Sequence, residues 1–263
     1  METPIASPSP ASAFAEALLS LKPSEELILS RVHQIHQDVL ARSPHIRQAN
    51  FTTIHPRDLE FLFVAYDECF LTGLCQPALE GRKLSFRLSP RMTRTGGMTT
   101  RYRARNGEVS FEIAIAISIL FDGFGDTDRR ITVCGFECQD RLEALQRIFE
   151  HEMVHLAEQL CWGCSDCTAV RFQDIAGRLF LHRAHTHDLI TRKERAAQSG
   201  IRLGSRVAFT FEGRRLTGRV NRITKRATVL VEDPAGRKYS NGLRYKTYYV
   251  PITWLEPAVI PPE

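Results

Sequence analysis

The sequence predicts an α+β protein with two domains, and three patterns support this class. Apolar residues recur at helical spacing from Leu27 to Leu40 and from Leu142 to Leu160. Apolar and polar residues alternate from Phe111 to Ile119, which is typical of a half-buried β-strand. Beyond residue 200, short alternating segments broken by glycine predict a small all-β domain. A chain of 263 residues is long enough for both.

The same patterns divide the chain into five segments. A flexible tail with a short helix covers 1–22, and a domain of helices plus a small antiparallel sheet covers 23–190. The charged segment 191–200 has no sizeable apolar face and is expected to be a linker. A small basic β-barrel follows at 201–257, a size at which a domain can still fold alone, and 258–263 is a tail.

Capping residues and periodicity place the elements of the first domain. Ser24 can cap a helix whose first turn holds Glu25 and Glu26, and Pro56 suits the first turn of the next helix. Asn106-Gly107 predicts a hairpin turn. The expected helices are Ala13–Leu21, 24–40, 56–70, Asp140–Leu160 and Thr168–Leu181, and the expected strands are Leu84–Leu88, Thr100–Ala104, Phe111–Ile119 and Ile131–Val133.

Composition and cysteine usage argue against a membrane-spanning protein and against a secreted, disulfide-bonded protein. The content of 43% hydrophobic and 25% charged residues is that of a soluble globular protein, and no apolar run is long enough to span a bilayer. Met1–Pro10 lacks the basic region of a signal peptide, and the seven cysteines are an odd number. We expect thiols or metal ligands in a reducing compartment, and a location in the cytoplasm or at the nucleoid.

His151-Glu152-Met153-Val154-His155 forms an H-E-x-x-H motif inside the longest predicted helix. Two histidines four residues apart project from one face, so both imidazoles can reach a single metal ion. Glu152 is angled to the side of that pair, where it can take a proton from a water that attacks a carbonyl. The alternative is a pair of solvent-facing histidines on an amphipathic helix. The motif predicts a catalytic metal centre with Glu152 as general base.

The segment from Thr53 to Thr191 resembles the SprT-like family of zincin metallopeptidases, which includes the Spartan DNA–protein crosslink proteases. The resemblance depends on the alternating strand, the H-E-x-x-H helix, a short loop, a second helix and Thr186-His187-Asp188-Leu189. It implies a zincin-like fold, Zn²⁺ as cofactor and protein as substrate.

The resemblance also bears on the third metal ligand, which a catalytic zinc needs beside an open position. In the family this ligand is a histidine that opens the second helix, within an H-G-x-x-F/W pattern. Phe172 matches the aromatic residue, but the histidine position falls at Cys167 or Thr168. Because thiolates bind zinc well and hydroxyls bind it poorly, we predict Cys167 as the ligand, with His187 second and His182 last. The departure leaves open a site that binds metal without turnover.

The cysteine run has a second interpretation. Cys161, Cys164 and Cys167 have the spacing of iron–sulfur and zinc-ribbon proteins. A fourth cysteine at a matching distance is missing, and the long helix separates Cys134 and Cys138 from the run. We therefore interpret Cys161 and Cys164 as free thiols.

Basic residues are concentrated in the last predicted domain. Ile201–Pro257 contains twelve Lys and Arg against four Asp and Glu, while the rest of the chain carries more acids than bases. Interleaved aromatic residues make this mixture suited to phosphate contact and base stacking. The alternative is a solvated basic face that packs against the acidic first domain. By analogy of fold alone the segment is similar to SH3-like or KOW-like barrels, and DNA or RNA is its expected partner.

Two functions follow from these features. The first is a zinc metallopeptidase that acts on DNA-associated proteins, with a peptide lying along an edge strand for which Phe111–Ile119 is the candidate. The second is a nucleic-acid-binding or regulatory protein with a structural or catalytically silent zinc site. Glu152 distinguishes them, because a structural site needs no uncoordinated carboxylate beside its ligands. A metal-dependent hydrolase for a non-peptide bond is a third alternative.

Overall fold

The computed structural model describes residues 9–124, 130–189, 200–224 and 226–258. The chain divides into two compact units, Met1–Leu189 (the larger unit) and Ile190–Glu263 (the smaller unit). Both helices and strands are present, so the protein is of mixed α+β class. Residues 1–8 of the expected tail, the expected linker apart from Gly200, and residues 259–263 lie outside the described ranges.

The α-helices of the described residues all belong to the larger unit, and capping explains several of their starts. The side chain of Ser24 accepts a hydrogen bond from the backbone of Leu27 at 3.3 Å, as the sequence predicts. His55 and Asp58 form a capping box around Pro56. The helices are α1 Pro10–Ser20, α2 Glu25–Arg42, α3 Pro56–Phe70, α4 Cys75–Ala78, α5 Ile117–Gly123, α6 Arg141–Trp162 and α7 Val170–Phe180.

The sheet of the larger unit is mixed and not antiparallel as expected. It contains β1 Leu84–Leu88, β2 Gly97–Arg103 and β3 Val109–Ile115 in the order β1-β3-β2. β2 and β3 form the predicted hairpin, but β1 pairs with β3 in parallel. After β1 the chain leaves a gap one strand wide and forms β2 beyond it. The hairpin then returns β3 into this gap, where it runs parallel to β1. β2 therefore lies at an edge, and β3 is central.

The strand predicted over Phe111–Ile119 ends at Ile115, and the prediction is wrong for its last part. Ile115 is the last residue that pairs with both neighbours, opposite Leu88 of β1 and Gly97 of β2. No strand is available beyond this register among the described residues, and the chain turns into α5 instead. Ile119 is still buried, but from a helix.

A two-residue hairpin precedes the longest helix. It joins β4 Ile131–Val133 to β5 Phe136–Cys138, and the first of these strands matches the predicted extended segment. The turn residues Cys134 and Gly135 have φ of 52° and 84°, the left-handed values that a tight hairpin turn of this kind requires. Glycine adopts this conformation readily, whereas cysteine does so at a cost.

Glu150 is the centre of a buried polar network on α6. Its carboxylate accepts a hydrogen bond from the Tyr66 hydroxyl at 2.8 Å and contacts Arg147 at 3.0 Å and His182 Nε2 at 2.9 Å. Gln146 donates to the same Tyr66 hydroxyl at 3.1 Å and to a carbonyl of α2 at 3.0 Å. A buried carboxylate is tolerated only with such partners. The network therefore fixes α6 against α2, α3 and the segment after α7.

The smaller unit is a five-stranded antiparallel sheet with its own core. Its strands are β6 Arg206–Phe211, β7 Arg214–Ile223, β8 Ala227–Lys238, β9 Arg244–Val250 and β10 Glu256–Pro257, in the order β10-β6-β7-β8-β9. The predicted barrel is not closed, because β9 and β10 at the two ends of the sheet do not pair in the part of the chain that the structure describes. Side chains from β6 to β9 nevertheless meet in one cluster, and bulges in the β7–β8 and β8–β9 ladders bend the sheet.

Hydropathy along the helices bears on membrane insertion. Within the described ranges, no helix combines the length and the apolar character that a membrane crossing requires.

The Glu150 network generates a prediction for stability. Tyr66→Phe removes the hydroxyl that links Glu150 to Gln146, so urea denaturation should show a loss of about 1–3 kcal/mol in the free energy of unfolding. Tyr102→Phe is the matched control, because its hydroxyl is bonded to Glu112 on an exposed surface and should cost less than about 0.5 kcal/mol. Equal losses in the two variants would contradict a stabilising role for the network.

Candidate metal centre

Helix α6 carries the H-E-x-x-H motif in a rigid position. The helix begins after Asp140, whose side chain accepts a hydrogen bond from the Glu143 backbone at 2.9 Å. It ends at Gly163, which adopts the left-handed conformation common after a helix. Most residues between these ends are buried, including Glu152. The motif therefore lies on a helix whose rotation and depth are fixed by packing on several sides.

The two motif histidines converge on one point. The Nε2 atoms of His151 and His155 are 3.1 Å apart. Phe172 of α7 packs against both imidazoles, with ring centroids 4.8 Å and 4.5 Å away. Burial lowers the pKa of both histidines, and for His151 the value falls to about 3 with a further contribution from His155. Both rings are thus neutral near pH 7, which is the form that binds a metal ion.

A chain of hydrogen bonds orients His155. Its Nδ1 lies 2.7 Å from the Ser165 hydroxyl, which donates to Glu158 at 2.6 Å. Arg171 donates to the other oxygen of Glu158, also at 2.6 Å. Because the hydroxyl hydrogen is given to Glu158, Ser165 must accept from Nδ1–H of His155. The lone pair is then on Nε2, and metal-binding histidines are commonly oriented by such partners.

Cys167, the first candidate for the third ligand, lies close to the two motif histidines. The ligand atoms of His151, His155 and Cys167 all lie within 4.8 Å of one another. Cys167 lies in the segment between α6 and α7, half-buried beside the cavity that the histidines face. Burial raises the pKa of its thiol, so a metal ion would have to displace the proton. The three side chains form a group that could hold a metal ion.

The other two candidate ligands lie elsewhere. His187 forms a β-bridge with Val133 and lines the same cavity, but among the described residues it belongs to no group of three ligand atoms at this spacing. His182 is bonded to Glu150 on the inner side of His151. There it forms a second group with His151 and Cys134. Cys134 was not a candidate from sequence, because no fixed spacing relates a residue in a distant turn to the helix.

Glu152 is confined between α6 and the edge strand β2. Its side chain accepts a hydrogen bond from Thr99 Oγ1 at 2.8 Å. A Cβ atom on Gly97 would lie 2.5 Å from Glu152 Oε1, so only glycine leaves room for the carboxylate. Burial raises the pKa of Glu152 to about 7, against the lowering effect of Thr99. The sequence alone assigned no role at the site to Gly97 or Thr99, because their importance depends on a contact between distant segments.

A cavity of about 460 Å³ opens in front of this group. Its wall is formed by the motif residues of α6, by Cys167, by the start of β2 and by the segment 185–187. This volume is in the range that binds small molecules or a side chain. The arrangement brings two neutral imidazoles, a thiol and a buried carboxylate to one accessible space.

Comparison with known proteins gives no relative for this chain. No family model, no curated protein and no solved structure matches it. The site geometry is therefore the basis for a functional proposal.

The geometry predicts how substitutions affect metal binding. Cys167→Ala should lower the affinity for the tightest-bound divalent ion by more than about 100-fold, since loss of an outer partner of a ligand alone costs 10–100-fold. The measurement is a titration of the metal-free full-length chain with Co²⁺ in competition with a chelator.

Two matched variants complete this experiment. Cys164→Ala removes an exposed thiol outside the group and should leave the affinity unchanged. His187→Ala should also retain the ion. Loss of binding in His187→Ala with retention in Cys167→Ala would assign the third ligand to His187.

Proposed function

We propose that the protein is a zinc-dependent metallopeptidase of the SprT-like, zincin type. The observation that supports this most directly is the buried carboxylate of Glu152 beside the converged His151 and His155, in front of an open cavity. A structural site would be closed by a fourth ligand and would have no use for a buried, uncoordinated carboxylate. This favours catalysis over a silent zinc site, which is the alternative.

The donor set suits zinc. Two imidazole nitrogens and one thiolate are ligands that zinc prefers, and three protein ligands leave a fourth position open. When bound, zinc would acidify a water molecule and polarise a carbonyl group. His151, His155 and Cys167 would hold the ion, and Ser165 would keep the His155 lone pair directed towards it.

Glu152 is suited to accept the proton of the attacking water molecule. Its pKa of about 7 lets it accept and release a proton near neutral pH, as a general base requires. Thr99 donates to Oε2, which fixes the orientation of the carboxylate and leaves Oε1 as the oxygen that can take the proton. Gly97 allows β2 to pack closely against this carboxylate.

The proposed peptide site is the edge strand β2. Alternation in the sequence made Phe111–Ile119 the candidate for this role, but the strand that forms there, β3, is central and both of its edges are paired. β2 pairs with β3 alone within the sheet and begins at the cavity with Gly97. An extended peptide can add to such an edge by main-chain hydrogen bonds. Its scissile carbonyl would then lie near the three ligands and Glu152.

Glu152→Gln tests the mechanism. The amide cannot accept the proton, so cleavage of a protein substrate by the zinc-loaded chain should fall by about 10²–10⁴-fold. Zinc content should be unchanged, because Glu152 is not among the ligand group. The experiment compares peptide-bond cleavage, read by gel or fluorescence, with metal content in the same samples. Full activity in the Gln variant would refute the mechanism.

Gly97→Ala is the second arm of this experiment. The added methyl group would overlap Glu152 and displace it, so activity should fall with zinc retained. Gly107→Ala is the matched control in the neighbouring hairpin, where a Cβ atom meets no other atom within 4 Å. It should reduce stability modestly, because its φ is positive, but leave the cleavage rate of the folded protein unchanged.

We also propose that the smaller unit binds nucleic acid and directs the peptidase to DNA-associated proteins. Its eleven described Lys and Arg residues are all exposed. Only two of them form ion pairs within the described part of this unit, Arg215 with Glu256 and Lys246 with Asp233. The remaining positive charge is available for phosphate groups. The strand order and the short 3-10 helix Ile252–Trp254 before β10 support an SH3-like classification of the unit.

One surface of the smaller unit combines charge with aromatic side chains. A depression of about 550 Å³ is lined by Arg206, Arg219, Tyr239 and Tyr245, together with Glu232 and several amide and hydroxyl groups. The two tyrosine rings lie edge to face with centroids 5.3 Å apart. The guanidinium groups can contact phosphates, and the tyrosine rings can stack on bases. These features favour a single-stranded or distorted nucleic acid as partner.

Replacing the two arginines tests this surface. Arg206→Gln with Arg219→Gln should weaken the binding of labelled single-stranded DNA by the full-length chain. It should also reduce the slope of log affinity against log salt by about one per residue, because each phosphate contact releases counterions. The control is Arg47→Gln with Arg57→Gln in the larger unit, which removes the same number of positive charges away from this surface. The same loss of slope in both double variants would show that only net charge matters.

A further inference from the structure

A second group of potential ligands lies on the inner side of His151. The ligand atoms of Cys134, His151 and His182 all lie within 4.8 Å of one another, and we call these residues the inner triad. Cys134 and His151 also line the cavity of the first site, so that the inner triad can be reached from solvent. None of its side chains except His151 has a part in the proposed peptidase centre.

The imidazole of His182 is oriented by a hydrogen bond, as metal-binding histidines commonly are. Its Nε2 lies 2.9 Å from Glu150, and its side chain is 2% exposed. Glu150 is also bonded to Arg147 at 3.0 Å and to the Tyr66 hydroxyl at 2.8 Å, so it is an ion-paired carboxylate that accepts from Nε2–H of His182. The lone pair of His182 is then on Nδ1, which is buried and has no hydrogen-bond partner among the described residues. A carboxylate that orients an imidazole in this way is typical of metal-binding histidines.

Cys134 supplies a thiol from an unfavourable backbone conformation. It is 3% exposed and has a φ of 52°, where glycine, asparagine or aspartate would be expected. Its backbone is held there by hydrogen bonds to Thr186 and from Arg183, at 2.9 Å and 3.0 Å. Local strain of this kind is often retained where a side chain has a function. Here it directs a buried thiol to two imidazoles.

His151 completes the group with a second orphaned nitrogen. Its Nδ1 is buried and, within the described ranges, accepts or donates no hydrogen bond. Two unpartnered imidazole nitrogens beside one thiol are unusual, because buried polar groups are nearly always paired. The Cys134 thiol has the Arg147 carbonyl as its partner at 3.7 Å, so the two imidazole nitrogens are the unsatisfied atoms of the triad, and a water molecule or an ion can satisfy them. Two nitrogens and one sulfur are the donor set of a thiophilic transition-metal ion.

We propose that the inner triad is a second metal site, for a thiophilic divalent ion such as Zn²⁺. The ion would displace the proton of the Cys134 thiol to solvent and bind the sulfur together with the two imidazoles. Because His151 belongs to both groups, the second ion competes with the first for this residue. The inner triad is the weaker of the two sites. The proposal does not rest on the peptidase function, since it concerns binding alone.

The test isolates the inner triad in the full-length chain. His155→Ala with Cys167→Ala removes two of the three ligands of the first site and leaves Cys134, His151 and His182 intact. Titration of this double variant with Co²⁺ should show saturable binding of one equivalent, at least 100-fold weaker than in the wild-type chain, with a thiolate-to-cobalt absorption band. Addition of Cys134→Gly should abolish the band. Glycine suits the left-handed backbone at this turn, so this substitution should not unfold the protein.

Cys138→Ala is the matched control, because it removes a buried thiol near the same hairpin that is outside the inner triad. It should keep the band. Absence of Co²⁺ binding in the double variant would show that the triad is not a metal site, and a band that survives Cys134→Gly would assign the thiolate elsewhere. Either result overturns the proposal. Should the double variant not fold, Cys167→Ala alone gives the same readout. A failed Glu152→Gln experiment, in contrast, would leave this result unaffected.

Discussion

The hydrogen bonds and the ion pair of one buried carboxylate, Glu150, fix the orientation of the helix that carries the candidate metal ligands. A carboxylate without partners in this interior would be strongly destabilising, so Arg147, Tyr66 and His182 must stay within hydrogen-bond distance of it. These partners come from α6 itself, from α3 and from the segment after α7. The rotation of α6 about its axis is thereby fixed. The next residue along the helix is His151, whose direction follows from this constraint.

The two histidines of the motif are held by different parts of the fold. His155 is oriented through Ser165 and Glu158, which lie at the end of α6 and in the loop that follows it. His151 packs against Phe172 and also lies close to the ligand atoms of Cys134 and His182. Each imidazole is thus restrained independently, and their nitrogen atoms still meet. A site that is rigid before an ion binds loses little conformational entropy on binding.

Local signals in the sequence predicted the local parts of the structure. Ser24 and the H-E-x-x-H helix depend on residues within a few positions of each other, and the structure has both where they were expected. The end of β3 at Ile115 depends on where two other strands stop, which alternation within the strand cannot reveal. The contact of Gly97 with Glu152 and the position of Cys134 are likewise non-local. Strand pairing and the depth at which a side chain is buried depend on contacts across the whole fold. The periodicity of a single sequence therefore does not predict them.

The close passage of β2 over Glu152 couples strand position to proton affinity. The carboxylate has a pKa of about 7 because the backbone at Gly97 and the surrounding side chains keep water away from it. A ligand that drew β2 outward by a fraction of an ångström would admit solvent, and the proton affinity of the carboxylate would fall towards that of an ordinary glutamate. The close packing of β2 on Glu152 therefore contributes to the burial that raises the pKa of this carboxylate, and the absence of a side chain at position 97 is what permits it.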